Sequence, residues 1–282
     1  MDISIIAIYG LLLCGVFSLG TKFKLLKRIP LWLFFLTISF ILAIVNEKAS
    51  FFSLVYTIVL GFSVYYYYQK KYILLFFLIL ALSIPLAFHF SILDFNNYRY
   101  LRNIILTGSS SPYSLYFNLD KTIVGMFIIG FCLEYKKVEF LLILKLVVIN
   151  LLLMGLIFFV LATVLGYSKF EPKLPYFTPV WVLVNLFFTC MAEEAIFRKL
   201  IQQRIHDSLS GKYALVLSVL IASLAFGLAH FSGGIAYIVL ASLAGMFYGY
   251  VYYKSKRIES SILLHFGFNL LHLLLFSYPA LK

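Results

Sequence analysis

The stretch Val180-Trp181-Val182-Leu183-Val184-Asn185-Leu186-Phe187-Phe188-Thr189-Cys190-Met191-Ala192-Glu193-Glu194-Ala195-Ile196-Phe197-Arg198 decides how this chain is read. Thirteen residues without a charge run straight into two carboxylates. An ionisable group at membrane depth costs at least a few kcal/mol, so it normally has a partner and a task. Arg198 stands four residues after Glu194, the spacing that puts an ion pair on one face of an α-helix. The plainer alternative is that both acids simply begin a helix end rich in Arg198, Lys199 and Arg204.

Working outward, the 282 residues are 63% hydrophobic and 12% charged, with mean hydropathy +1.01. A soluble domain has about 45–50% apolar and about 25% charged residues. This balance excludes a water-soluble fold, and intrinsic disorder needs the opposite one. A helix needs about 20 apolar residues to cross the hydrocarbon core. Candidate spans fall near 3–20, 30–45, 49–68, 72–90, 122–133, 140–166, 178–200, 213–231, 234–253 and 260–280. The expectation is an all-α polytopic membrane protein with about eight to ten transmembrane helices. The short 122–133 segment reads as re-entrant or tilted. Pro85 is expected to kink the fourth helix. The longest polar stretch, 91–121, carries the flexible-loop signal Gly108-Ser109-Ser110-Ser111-Pro112.

A net charge of +12 suggests nucleic acid in a soluble protein. Here the basic residues form short clusters between apolar runs, as membrane topology requires, so no nucleic-acid partner is expected. Fifteen of the 23 Lys and Arg fall on one set of alternate connections, beginning with Lys22, Lys24, Lys27 and Arg28. The opposite set holds seven, Lys121 among them, and this asymmetry puts both termini outside. Cys14, Cys132 and Cys190 all lie in apolar segments and read as buried thiols. Ile3–Gly20 lacks a preceding basic region and a small-residue cleavage site, so it reads as a retained span.

Two further apolar segments bring polar groups. His230 closes Phe226-Gly227-Leu228-Ala229-His230, and His265 opens His265-Phe266-Gly267-Phe268-Asn269, with His265 and Asn269 on one face. A lone histidine in an apolar helix is ordinarily hydrogen-bonded packing. Three separate helices that each bring an expensive polar group point to chemistry instead.

Together these segments resemble the three motifs, EExxxR, FxxxH and HxxxN, of the CAAX protease and bacteriocin-processing (Abi) family of intramembrane proteases. The resemblance covers roughly 175–275, and the glycine-bearing run Leu243–Tyr250 is similar to the family's helix between the second and third motifs. Lys199 departs from the glycine many members carry there. By this resemblance, residues 1–170 are family-variable N-terminal helices and 171–282 the catalytic helical core. Asn118-Leu119-Asp120-Lys121 followed by Gly125 faintly resembles the lead-in of bacterial members that process C-terminal sorting tails.

The resemblance, to type II CAAX prenyl endopeptidases in particular, implies roles. Glu193 is the general base on water, since burial out of water makes a carboxylate a stronger base. His230 helps hold and deprotonate that water. His265 and Asn269 donate to the oxyanion, and Glu194 with Arg198 orients the first motif. No GxSxG or HExxH motif is present. No cofactor is implied on this reading. On the alternative metal reading, Glu193, His230 and His265 would hold a catalytic zinc. Two non-peptidase readings also stand: a bacteriocin self-immunity or scaffold protein, and a proton-coupled transporter, against which no inverted repeat is visible. The expected partners are membrane lipids and a protein or peptide substrate with a membrane-associated or C-terminal cleavage site. The expected location is the cell membrane, specifically the bacterial cytoplasmic membrane.

Overall fold

The computed structural model describes residues 2–21, 23–25, 28–132, 139–211 and 213–282. In lipid every backbone polar group must be satisfied within the chain, which makes the apolar runs helical. The helices are α1 (Ile3–Ser18), α2 (Leu31–Val45), α3 (Phe51–Lys70), α4 (Ile73–Ala87), α5 (Leu119–Phe131), α6 (Phe140–Val164), α7 (Thr178–Ser208), α8 (Ala214–Leu228), α9 (Gly234–Ser255) and α10 (Ile258–Leu275). Each coincides with one of the apolar segments expected from the sequence. Local chemistry sets several ends. Ser50 and Ser53 form a reciprocal capping box at the start of α3, and Pro179 occupies the first turn of α7.

Among the described residues, α3, α6, α7, α9 and α10 are long and apolar enough to cross a membrane. Helices α1, α2, α4 and α8 are shorter apolar helices. The protein is an all-α, multi-pass membrane protein. Helix α7 is not a uniform α-helix. Val184–Cys190 and Ala195–Gln202 are π-helical, flanking an α-helical Met191–Glu194.

The chain divides into two compact units. The first comprises residues 1–100, 116–134 and 187–195. Its centre is α5, which packs against α1–α4 and against Met191–Glu194. Almost every residue of α5 is buried, from Leu119 and Asp120 to Gly130. Two glycines allow this. A Cβ at Gly125 would lie 2.7 Å from the Cα of Ala192, and one at Gly130 would lie 2.5 Å from the Trp32 ring.

The second unit comprises residues 101–115, 135–186 and 196–282. Helices α8 and α9 pack closely, and α6 packs on α9 and α10. Met154, Phe158, Phe226, Ala244, Tyr248 and Leu264 belong to one buried core. A Cβ on Gly245 would meet the Ser223 backbone at 3.1 Å, so the glycine lets α8 and α9 approach. After α10 the segment 276–282 is strapped down by backbone bonds, Ser111 N–H to Ala280 C=O, Leu281 N–H to Tyr167 C=O and Lys282 N–H to Ser109 C=O.

Three expectations change. The polar stretch 91–121 is not a loose loop: Tyr98–Ile104 (β1) and Tyr113–Phe117 (β2) pair as a two-stranded sheet, and Ser110 in their connection is fully buried. Cys14 is exposed on α1, although no cysteine is in a disulfide. Lys121 is not a connecting-loop charge but lies in the first turn of α5. Of the residues in the topology count, Lys22, Lys27, Lys136, Lys137 and Lys212 lie outside the described residues, as does Leu133 of the 122–133 segment.

Candidate active site

In the first unit, Glu193 and Glu194 end the α-helical turn Met191–Glu194 and are 7% and 0% exposed. Lys121 Nζ donates to Glu193 Oε1 at 2.5 Å. The lysine is itself anchored at its backbone, because its N–H donates to Asp120 Oδ1 at 2.7 Å. Asp120 Oδ2 lies 2.8 Å from Nδ1 of the half-exposed His89. Leu119 N–H donates to Asn97 Oδ1, and the Asn118 amide reaches Thr189 Oγ1 at 3.5 Å. The first turn of α5 and the carboxylate-bearing turn are thus joined by charge as well as by packing.

In the second unit, Phe226 is a hub. The His230 ring lies 4.6 Å from it, the His265 ring 5.5 Å, and the Arg198 guanidinium 5.6 Å. Tyr248 stacks on His265 at 4.6 Å and also faces Arg198 at 6.0 Å. Arg198 and His265 are buried, at 0% and 4% exposure. His230 stands just beyond the end of α8, and its Nδ1 is 2.7 Å from the Phe226 carbonyl oxygen. A carbonyl only accepts, so Nδ1 carries the hydrogen and the ring's basic nitrogen in the neutral form is Nε2. One turn beyond His265, Asn269 Nδ2 donates to Asn185 Oδ1 at 3.3 Å.

Arg198, His230 and His265 therefore meet around Phe226 and Tyr248, and Asn269 extends the same helix face. Glu193 and Glu194 belong to the first unit. Arg198 lies in the π-helical Ala195–Gln202, whose turn is wider than that of an α-helix. Among the described residues, no three His, Cys, Asp or Glu side chains are gathered as a set of metal ligands. Sequence reasoning missed Lys121, Tyr248 and Asn185. For Lys121 the only signal was its place in Asn118–Lys121 ahead of Gly125; for Tyr248 it was the glycine-flanked run on α9.

Fold and side chains define a class, a multi-pass helical membrane protein with acidic, cationic and imidazole groups buried in apolar helices. Residues 175–271 match the family model described as Type II CAAX prenyl endopeptidase Rce1-like. All three motifs fall within that match, so the resemblance to the CAAX proteases is shown over this segment. At the level of family, the match supports an endopeptidase of CAAX type. No curated protein and no solved structure matches the chain.

Proposed function

We propose that the protein is an intramembrane endopeptidase that hydrolyses a peptide bond of a membrane-associated protein or peptide, using a water activated by Glu193. The observation that carries this reading is Glu193 itself. It is a buried carboxylate at the end of an apolar run, fixed by an ammonium group, within a segment that matches an endopeptidase family. In the step, one O–H bond of water breaks and its proton goes to Glu193. The water oxygen bonds the carbonyl carbon, and the negative charge passes to the carbonyl oxygen. His230 holds the water through Nε2. His265 and Asn269 donate to the oxyanion, each donor contributing about 3 kcal/mol. Glutamate then returns its proton to the leaving nitrogen as the C–N bond breaks.

The pairing of Glu193 with Lys121 supports a metal-free reading, because the carboxylate already has its counter-charge. A bacterial cytoplasmic membrane location, with both termini outside, is part of the same proposal. The test is peptide mapping of membrane proteins in cells carrying Glu193→Ala. A membrane polypeptide is expected to accumulate uncut, and the purified wild type is expected to cleave it while the variant does not. Variant activity within tenfold of wild type would remove Glu193 from the mechanism.

A further inference from the structure

The family match begins at residue 175, yet the cation on Glu193 comes from α5. The side chains of Lys121 and Glu193 are 13% and 9% exposed. An exposed pair contributes little, but removing one member of a buried pair leaves an uncompensated charge. Lys121 is also unusually constrained for a lysine. Asp120, itself 1% exposed, takes its backbone N–H and is braced on the other oxygen by His89. Gly125, one helical turn further on, lets the α5 backbone abut Ala192, the residue before Glu193. The ammonium is thereby held at a fixed place relative to the carboxylate from two sides, by hydrogen bonds and by helix contact.

We infer that Lys121 is the positioning residue for Glu193, setting the plane of the carboxylate that receives the water's proton; this rests on the peptidase reading above. The lysine transfers no proton and touches no reacting atom. What Lys121 supplies is orientation: a carboxylate held in one plane already faces the water when the reaction begins.

Two measurements on the full-length chain separate this inference from the reading it rests on. The first needs no substrate. Thermal unfolding in detergent is compared for wild type, Lys121→Met, Glu193→Gln and the double variant. Each single change is expected to lower the midpoint by several degrees, and the double variant to recover most of the loss, since both members of the pair are then removed together. Purely additive losses would overturn the pairing. The second uses, in vesicles, the membrane polypeptide that accumulates in Glu193→Ala cells. Lys121→Met is expected to lower kcat at least tenfold with KM within threefold, and Lys121→Arg to restore part of it. A dead Glu193→Gln beside an unimpaired Lys121→Met would overturn the positioning role alone. An active Glu193→Gln would instead remove the peptidase reading and leave the stability cycle to judge the pair. If Lys121→Met fails to fold, its rescue by added Glu193→Gln or by Arg at position 121 still decides the pairing.

Discussion

The His265 imidazole lies flat against the Tyr248 ring, the centroids 4.6 Å apart and the planes 16° from parallel. Phe226 presents to the same imidazole at 85°, with centroids 5.5 Å apart. One face and one edge of the ring are thus packed by aromatic carbon, which fixes where the histidine's polar edge points.

Tyr248→Leu removes the stacked face while keeping an apolar residue on α9. Turnover is expected to fall about tenfold, because a donor displaced by a fraction of an ångström no longer meets the oxyanion. Substrate affinity should change little. An unchanged kcat would show that the stack serves packing alone.

Asn269 and His272 share a face of α10, but three residues and the surroundings separate their roles. Asn269 reaches Asn185, whereas His272 packs against Tyr278 at 5.1 Å and Tyr167 at 6.4 Å. On the proposed mechanism, Asn269→Ala lowers kcat by on the order of 100-fold, the loss typical of one oxyanion donor. His272→Ala stays within a few-fold. The reverse ranking would move the reaction one turn along α10.

Gly125 and Gly10 make a matched pair of glycine tests. A methyl at Gly125 meets the Ala192 backbone at 2.7 Å, while one at Gly10 meets nothing within 4 Å. Gly125→Ala should cost about 1–3 kcal/mol by overpacking and reduce cleavage, since α5 and the Glu193 turn must separate. Gly10→Ala should be neutral or stabilise by about 0.5–1 kcal/mol, the ordinary gain in a helix. Thermal denaturation of both variants checks the contrast.

Glu171 gives a pH dependence away from the apolar helices. Hydrogen bonds from Ser109 at 2.6 Å and Thr107 at 2.5 Å, with help from Lys169 and Lys173, hold its carboxyl below the ordinary carboxylate value. A carboxyl lowered on folding contributes stability above its unfolded value, about 4.3, and that stability is lost as pH falls through the folded value. Hydrogen exchange at Ser111 and Lys282, whose amides tie the strap, should therefore speed up, relative to the intrinsic rate, as pH falls below about 4. In Glu171→Gln, protection at these amides should no longer depend on pH in that range.

Dialysis of wild-type protein against a strong chelator is expected to leave activity intact, with no stoichiometric zinc by elemental analysis. About one zinc per chain, with activity lost on removal and restored on return, would assign Glu193, His230 and His265 to a metal.

The helices were legible because lipid makes every long apolar run declare itself, and α1 to α10 fall where hydropathy put them. The three motif segments were legible because charge and imidazole stand out against Leu, Phe and Val. Lys121 was not, since a lysine at a helix start looks like a topology signal and its partner is distant in sequence. The π-helical turns of α7 were equally hidden, because Val184–Cys190 has the composition of any buried helix and pitch leaves no mark on hydropathy. Helix α5 read as a marginal span for a related reason: it is short and carries Asp120 and Lys121, which its neighbours, not the lipid, accommodate.

The pairing of Lys121 with Glu193 has a consequence for biosynthesis. The two residues are 72 positions apart, so α5 leaves the ribosome well before the turn that neutralises it. At roughly 5–20 residues per second, the delay is about 4–14 s. During that interval a 13-residue helix carrying an aspartate and a lysine has no α7 to pack against. Helix α5 can therefore complete its packing only when α7 arrives, although α1–α4 are already made.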